Sequence, residues 1–461
     1  MIDVLLYLLG IVIVLAGLAL SIGLHEIGHL LPAKLFGVKV TQYMVGFGKT
    51  LWSRRIGETE YGVKAIPLGG YVAMIGMYPP QKAGEAPRAS TTGFLNSVME
   101  EGKPGQTEPR RGIGAMVDEA RLASAETIAH GEDHRTFYRL PMWKKIVIML
   151  GGPIMNLVLA FVFFAIVLVG FGLPQSSTTL GSVSECLLPA SSTATSCTTS
   201  DPEAPAAAAG MLPGDRVVAV DGAPVEGWEQ FRSTVAASPD RALEVTVERD
   251  GASRSLVLTP VPNERLRLDA DGAIVTGVNG EPQTEVVGMI GATPAVENVS
   301  QPLTAVPEYV GENVAAVAGI IANLPQRMVD VWNAAFGAEE RDPNGPMSVV
   351  GVGRLAGEVV SLDAAPVAAK AQTMFGLLGS LNIALFVFNL VPLMPLDGGH
   401  IAGAIYEGIK RGIARLRGRP DPGPVDTARM VPVTFVVVIA LGAMSVLLMY
   451  ADIVKPVSLF G

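Results

Sequence analysis

Four long stretches without a charged side chain constrain the fold of this sequence more than any other feature. A helix needs about 20 predominantly apolar residues to cross the hydrocarbon core of a bilayer. The stretches that we expect to span are 4–24, 146–173, 373–396 and 431–450. Charged residues make up only 17% of the 461 residues, against about 25% in soluble proteins. The sequence therefore predicts a polytopic α-helical membrane protein with four transmembrane helices and excludes a soluble cytosolic enzyme.

A fifth apolar stretch, 303–324, contains Pro307, Glu308 and Glu312. Charges at these positions favour an amphipathic helix at the membrane interface over a span. The first stretch follows Met1-Ile2-Asp3 and so lacks the basic residues that begin a cleaved signal peptide. We expect it to remain as a membrane helix.

Lysine and arginine near the spans predict the orientation, because cytoplasmic connections are enriched in them. Both the connection between the first two spans and that between the last two are basic; these residues are Lys34, Lys39, Lys49, Arg54, Arg55, Arg139, Lys144 and Lys145, and Lys410, Arg411, Arg415, Arg417 and Arg419. We therefore expect a multi-pass protein of the cell membrane, with residues 174–371 and both termini outside the cytoplasm.

The net charge of the chain is −9, so the sequence lacks the excess of positive charge that is typical of nucleic-acid-binding proteins.

Cys186 and Cys197 are the two cysteines of the chain, and both lie in the outward segment. An even number of cysteines in an oxidising compartment permits a disulfide. Two unpaired thiols are the alternative.

The rest of the chain divides around the spans. Residues 36–78 read as short strands with glycine and proline at the turns, and residues 79–140 as a polar cytoplasmic insertion. The predicted segments are 1–35, 36–78, 79–140, 142–173, 180–295, 300–371, 372–400 and 430–451, with an outward β-rich domain at 180–295.

The outward domain contains a stretch, 210–222, that is similar to a bacterial PDZ domain. It reads Gly-Met-Leu-Pro-Gly-Asp, then a strand at 216–220 and the turn Asp221-Gly222. A short helix at 228–237 and a hairpin around Asp250-Gly251 follow. The resemblance implies binding of extended peptides or peptide C-termini by strand addition; an inert β-rich spacer is the alternative.

His25-Glu26-Ile27-Gly28-His29 ends the first span. Two histidines four residues apart face the same side of a helix and can ligate one zinc ion, with Glu26 beside them as a general base. A structural pair of histidines is the alternative, but buried ionisable groups in a span are costly without a function.

A catalytic zinc site needs a third protein ligand. Glu58 and Glu60 are close in sequence but belong to a hydrophilic connection. Asp397 ends the third span, at the same membrane face as the histidines in the predicted topology. Pro392 and Pro395 break that helix, which is tolerated only inside protein or in a wet cavity.

Together these motifs resemble the site-2 protease family of bacterial intramembrane zinc metalloproteases. That family carries H-E-x-x-H in its first span and N-x-x-P-x-P-x-L-D-G in a later one. This chain has the first motif in full at 25–29. At 389–398 it has the second motif with one departure, because Met394 stands at the second proline position and Pro395 follows it. Further similarities are the turn at 67–71 and the stretches 152–156 and 288–291.

The resemblance implies one Zn²⁺ per chain, held by His25, His29 and Asp397, with Glu26 catalytic. It implies that Asn389, Pro392 and Pro395 contact the substrate. Gly69, Gly70 and Tyr71 would belong to a membrane-associated β-hairpin that presents the substrate. It also implies regulated intramembrane proteolysis of single-span proteins, such as anti-sigma factors already cleaved by another protease or signal-peptide remnants.

Two other classes remain open on the residues alone: a zinc transporter with the same ligands, and a membrane-anchored PDZ adaptor without chemistry. Glu26 argues against the first, because a transport site needs no base between two ligands. His400, three residues after Asp397, is expected beside the metal rather than on it, and His130 and His134 are expected in solvent.

Overall fold

The computed structural model describes residues 2–79, 88–91, 132–188, 197–198, 201–267, 275–276, 282–337, 340–342, 345–363 and 365–457. Most of the predicted insertion at 79–140, including His130, therefore lies outside the described residues. The chain divides into two units, one formed by residues 1–170 and 302–461 and the other by residues 171–301.

The helices are α1 (Ile2–Leu35), α2 (Met142–Ala165), α3 (Pro205–Ala208), α4 (Trp228–Ala236), α5 (Ala305–Ala322), α6 (Leu324–Phe336), α7 (Val349–Ser361), α8 (Val367–Asn389), α9 (Asp397–Leu416) and α10 (Val431–Val454). Four helical segments in the described residues are long and apolar enough to cross a membrane: Asp3–Leu35, Met142–Phe171, Val367–Asn389 and Thr427–Val454. The predicted four-span membrane protein is confirmed at this level.

Helices α5 and α6 cover part of the region for which the sequence predicts an interfacial segment. They meet at an angle of 74°, and together they also satisfy the length and composition expected of one broken span. Val306 and Val310 of α5 are buried, and Val331 of α6 packs against Leu448 of α10.

Glycines allow α1 and α2 to cross closely. A Cβ on Gly28 would lie 2.2 Å from the Gly151 carbonyl oxygen, and a Cβ on Gly151 would lie 1.9 Å from the Gly28 carbonyl oxygen. Backbones this close exclude any larger side chain at either position. The crossing therefore brings the histidine motif of α1 directly against α2.

The third span ends earlier than the sequence suggests. Helix α8 stops at Asn389, a loop occupies residues 390–396, and α9 begins at Asp397. Pro392 and Pro395 have no N–H to donate, and the loop instead closes short backbone hydrogen bonds, such as Leu396 N–H to the Leu393 carbonyl at 2.9 Å. Asp397 is thus the first residue of a new helix rather than the end of a span.

A sheet follows α1 directly. Strand β1 (Val40–Ile56) pairs antiparallel with β2 (Thr59–Tyr78), and β3 (Arg88–Thr91) pairs with the other edge of β2. The register joins Val45 to Gly70 and Ile56 to Thr59. Val40, Val72 and Met74 are buried with Leu30 and Ile148, so the sheet shares a core with the ends of α1 and α2.

The second unit is mainly β-structure. Its strands are β4 (Leu173–Val183), β5 (Arg216–Val220), β6 (Ala223–Pro224), β7 (Leu243–Arg249), β8 (Ala252–Leu258), β9 (Val261–Leu266), β10 (Thr284–Met289) and β11 (Ala292–Val299). The main sheet has the order β11-β4-β5-β7-β8, with β6 beside β5, and β9 pairs with β10. Helix α4 packs on this sheet through Phe231 and Val235, which are buried with Leu180 and Val245.

Asp215 and Arg249 form an ion pair in this unit. The Arg249 guanidinium donates to both carboxylate oxygens at 2.6 and 2.7 Å, and the Leu212 N–H donates to Oδ2 at 2.9 Å. These hydrogen bonds hold the pKa of the buried Asp215 carboxyl below its usual range. Cys186 and Cys197 are disulfide-bonded, with their Cα atoms 5.9 Å apart.

Candidate metal centre

Three side chains from two distant parts of the sequence converge in the first unit. His25 Nε2 lies 3.2 Å from His29 Nε2, and each of these nitrogens lies 3.3 Å from Asp397 Oδ2. All three residues are buried. The first turns of α9 thus place a carboxylate against the two histidines of α1, across 368 positions of sequence.

The spacing of these three atoms fits zinc. Zinc binds nitrogen and carboxylate oxygen at about 2.0–2.2 Å in tetrahedral geometry, so neighbouring ligand atoms lie about 3.3–3.6 Å apart. The observed triangle of 3.2, 3.3 and 3.3 Å matches one face of such a tetrahedron. In addition, Asp397 Oδ2 is buried and receives no hydrogen bond from the described residues. The donor set is the one expected of a catalytic zinc site with a fourth position for water.

Helix α2 fixes the orientation of His29. His29 Nδ1 lies 2.8 Å from the Ile148 carbonyl oxygen. A carbonyl only accepts, so Nδ1 carries the proton and the lone pair of Nε2 faces the other ligands. No sequence motif predicts this contact, because every residue type has a backbone carbonyl oxygen.

Gly152 makes room for both imidazoles. A Cβ at this position would lie 2.3 Å from His29 Nε2 and 2.7 Å from His25 Nε2. Gly152 is ten residues along α2 from Met142, or about 15 Å at 1.5 Å per residue. The metal centre therefore lies well inside the length of the span.

Glu26 follows the first ligand and is 6% exposed. Its Oε2 atom is buried without a hydrogen-bond partner among the described residues. A carboxylate oxygen in this condition is available to accept a proton from a molecule that enters the site.

Strand β2 passes directly beside Glu26. A Cβ on Gly70 would lie 2.9 Å from Glu26 Cγ, and a Cβ on Gly69 would lie 1.9 Å from the Phe47 ring. Gly70 is thus needed for the close approach of β2 to Glu26, and Gly69 for the packing of the Phe47 ring against β2. Tyr71 is buried and donates to Gln42 Oε1 at 3.1 Å.

Tyr43 also connects the sheet to α1, and sequence reasoning missed it. Its hydroxyl donates to the Gly23 carbonyl at 2.7 Å, one turn before Glu26. Burial, together with the nearby Glu26 carboxylate and Tyr61, raises the pKa of Tyr43 to about 12. The hydroxyl is therefore a fixed donor that holds β1 against the turn of α1 that carries Glu26.

The other predicted site residues lie on α8, on the loop that follows it, and in or beside β2. Asn389 is the last residue of α8, and Pro392 and Pro395 lie in the loop between α8 and α9. The two alternative ligands are engaged elsewhere: Arg135 donates to Glu58 at 2.6 and 2.7 Å, which lowers the pKa of that carboxyl, and Glu60 accepts from Gln42 at 3.3 Å.

The fold and the site together define a membrane metallopeptidase, with an H-E-x-x-H helix and an aspartate supplied by a second helix. Comparison with known proteins agrees. Peptidase family M50 matches residues 13–420. The chain is 32% identical to zinc metalloprotease Rip1 of Mycobacterium tuberculosis, over 98% of this chain and 99% of the relative. It is 31% identical to Rip1 of Mycolicibacterium smegmatis, over the same shares. It is 25% identical to zinc metalloprotease RasP of Geobacillus kaustophilus, over 84% of this chain and 86% of the relative.

The chain therefore belongs to peptidase family M50, the site-2 protease family. The resemblance inferred from the motifs is confirmed, as are the multi-pass membrane protein and the zinc metallopeptidase.

Proposed function

We propose that this chain is an intramembrane endopeptidase that holds one zinc ion with His25, His29 and Asp397 and uses Glu26 as its general base. The observation that carries the proposal is the triangle of three buried ligand atoms 3.2–3.3 Å apart, with the Glu26 carboxylate on the adjacent residue. A transport site would need the ligands but not this carboxylate.

The roles of the residues follow from their positions. Zinc, when bound, acidifies water and polarises a peptide carbonyl. Glu26 accepts the proton of the attacking water on its unpartnered oxygen and returns it to the leaving amine. Asn389 is the last residue of α8, and we propose that it donates to the substrate backbone and that the loop with Pro392 and Pro395 lines the approach.

We infer that the substrate is a single-span membrane protein. The centre lies about 15 Å along a membrane span, where a soluble peptide does not reach. A substrate helix hides its amides in internal hydrogen bonds, so it must unwind locally before attack. Gly70 lies beside Glu26, and the stretch Gly69, Gly70 and Tyr71 would pair with the unwound segment. Anti-sigma factors already cut by another protease fit this description.

For the second unit we propose a PDZ-like peptide-binding role. Strand β11 is an outer strand of the main sheet, it follows Gly288-Met289-Ile290-Gly291, and its Val296 side chain is 69% exposed. An extended peptide or a new C-terminus would add to this edge. Val296→Asp should weaken the binding of a fluorescent peptide pool to the full-length protein. Val257→Asp, on the opposite outer strand β8, should not.

We also propose the predicted orientation in the cell membrane, with both termini and the second unit outside the cytoplasm. The basic connections support it. A reporter enzyme that is active only outside the cytoplasm should be active when fused after Gly461. A fluorescent reporter that folds only in the cytoplasm should not fluoresce there. The reverse pattern would contradict the orientation.

The cleavage reaction is tested with purified protein in detergent and a tagged single-span substrate. Removal of zinc with a chelator should abolish cleavage, and stoichiometric zinc should restore it. Cleavage that is indifferent to chelation would overturn the proposal.

A further inference from the structure

Asn156 is buried in α2 and touches a proposed metal ligand that the sequence places 131 positions away. Its side-chain nitrogen lies 3.0 Å from His25 Nδ1, and the residue is fully buried. Its Oδ1 atom has no hydrogen-bond partner among the described residues. Ile148, Gly152 and Asn156 are spaced by four, so they share one face of α2. Along that face, Ile148 contacts His29, Gly152 lies against both imidazoles, and Asn156 contacts His25.

The carboxamide can meet the imidazole in two ways, because a half-turn about its last bond exchanges oxygen and nitrogen. In one, the amide N–H donates to Nδ1, and the proton of His25 is on Nε2. In the other, Oδ1 accepts from Nδ1–H, and Nε2 presents a lone pair. Only the second leaves Nε2 able to bind a cation.

The surroundings of Nε2 favour the second arrangement when metal is bound. His25 Nε2 points at His29 Nε2, which the Ile148 carbonyl already fixes as an acceptor, and at Asp397 Oδ2. A cation between these three atoms requires a lone pair on each of them. The same tautomer is then imposed on both histidines from the same face of α2, once by a backbone carbonyl and once by a side-chain amide.

We propose that Asn156 is a positioning residue that accepts a hydrogen bond from His25 Nδ1–H and so directs the Nε2 lone pair of His25 to zinc. This inference rests on the proposed zinc site. Partners of this kind orient metal-bound histidines, and their loss typically lowers metal affinity about 10–100-fold.

Zinc affinity of the full-length protein, measured by competition with a chelating dye, tests the proposal independently of proteolysis. Asn156→Leu removes the acceptor at similar volume and should weaken zinc binding about 10–100-fold. Asn156→Asp keeps an acceptor oxygen and should bind zinc at least as tightly as the wild type.

Asn382 provides a matched control. It is also fully buried in a span, but it donates to Ser21 Oγ at 2.9 Å and to the Leu378 carbonyl at 2.8 Å, and it contacts no proposed ligand. Asn382→Leu should lower thermal stability while zinc affinity stays within about threefold of the wild type.

Three outcomes would overturn the inference: unchanged affinity in Asn156→Leu, equal losses in the Leu and Asp variants, or an equal loss in Asn382→Leu. If the wild type itself binds no zinc, the proposed metal centre fails instead, so the two failures are distinguishable.

Discussion

Lys145 of α2 and Glu407 of α9 form an ion pair that is buried on both sides. The Lys145 ammonium lies 2.9 and 2.8 Å from the two carboxylate oxygens, and the side chains are only 5% and 4% exposed. The Val425 N–H donates to the same carboxylate at 3.2 Å. Because α9 begins at Asp397, this pair holds in place the helix that supplies the proposed third ligand.

Removing either Lys145 or Glu407 alone should therefore destabilise the folded protein. Glu407→Gln leaves a buried ammonium unpaired and should lower the free energy of unfolding by about 3–5 kcal/mol, measured by thermal denaturation in detergent. Replacing both residues, with Lys145→Met and Glu407→Leu, should recover most of the loss. Glu358→Gln breaks the more exposed Arg354–Glu358 pair and should cost about 0–1 kcal/mol. Equal effects of the two single variants would contradict the role given to the buried pair.

Gly152→Ala should prevent zinc from binding at the candidate metal centre. The added Cβ would lie 2.3 Å from His29 Nε2, so one or both imidazoles must move out of ligand geometry. Zinc per chain, measured by mass spectrometry of the purified protein, should fall well below one. Gly442→Ala, in the span formed by α10, is the control. A Cβ at Gly442 meets no described atom within 4 Å. Full zinc occupancy in Gly152→Ala would show that the ligands do not meet as described.

The sequence was sufficient for the parts of the site that depend on local periodicity. His25, Glu26 and His29 follow from helical spacing, and the four spans follow from uncharged length. Asp397 needed the family resemblance and the topology. The contacts of Ile148, Gly152 and Asn156 could not be predicted, because they depend on how closely α1 and α2 cross. The pairing of Lys145 with Glu407 likewise depends on packing between helices 262 positions apart.

Gly70→Ala should separate catalysis from metal binding. Its Cβ would lie 2.9 Å from Glu26 Cγ, so either β2 or the proposed catalytic carboxylate must shift. We expect kcat for substrate cleavage to fall at least tenfold while zinc occupancy stays near one. Val63→Ala, at an exposed position of the same strand, should leave both unchanged. Loss of zinc in Gly70→Ala would contradict this expectation, because it would mean that the substitution displaces the metal ligands.

The second unit should lose stability in acid through Asp215. Its pKa is lowered in the folded chain by the Arg249 guanidinium. The ion pair therefore stabilises the folded unit fully at pH values above the pKa of an unfolded aspartate, about 3.9. This stabilisation is lost as the pH falls toward the lower pKa of Asp215 in the folded chain. The test follows urea unfolding by the fluorescence of Trp228 in a background where Trp52, Trp143 and Trp332 are replaced by Phe. The free energy of unfolding should fall more steeply below about pH 4 with Asp215 present than with Asp215→Asn. Parallel curves would contradict the assignment.

The most direct measurement is cleavage of a tagged single-span substrate by Glu26→Gln, with zinc content determined on the same preparation. Glu26 provides no ligand atom to the triangle of His25, His29 and Asp397. We therefore predict one zinc per chain and no detectable cleavage in this variant, beside a wild type that cleaves. Cleavage at the wild-type rate by zinc-loaded Glu26→Gln would contradict the account.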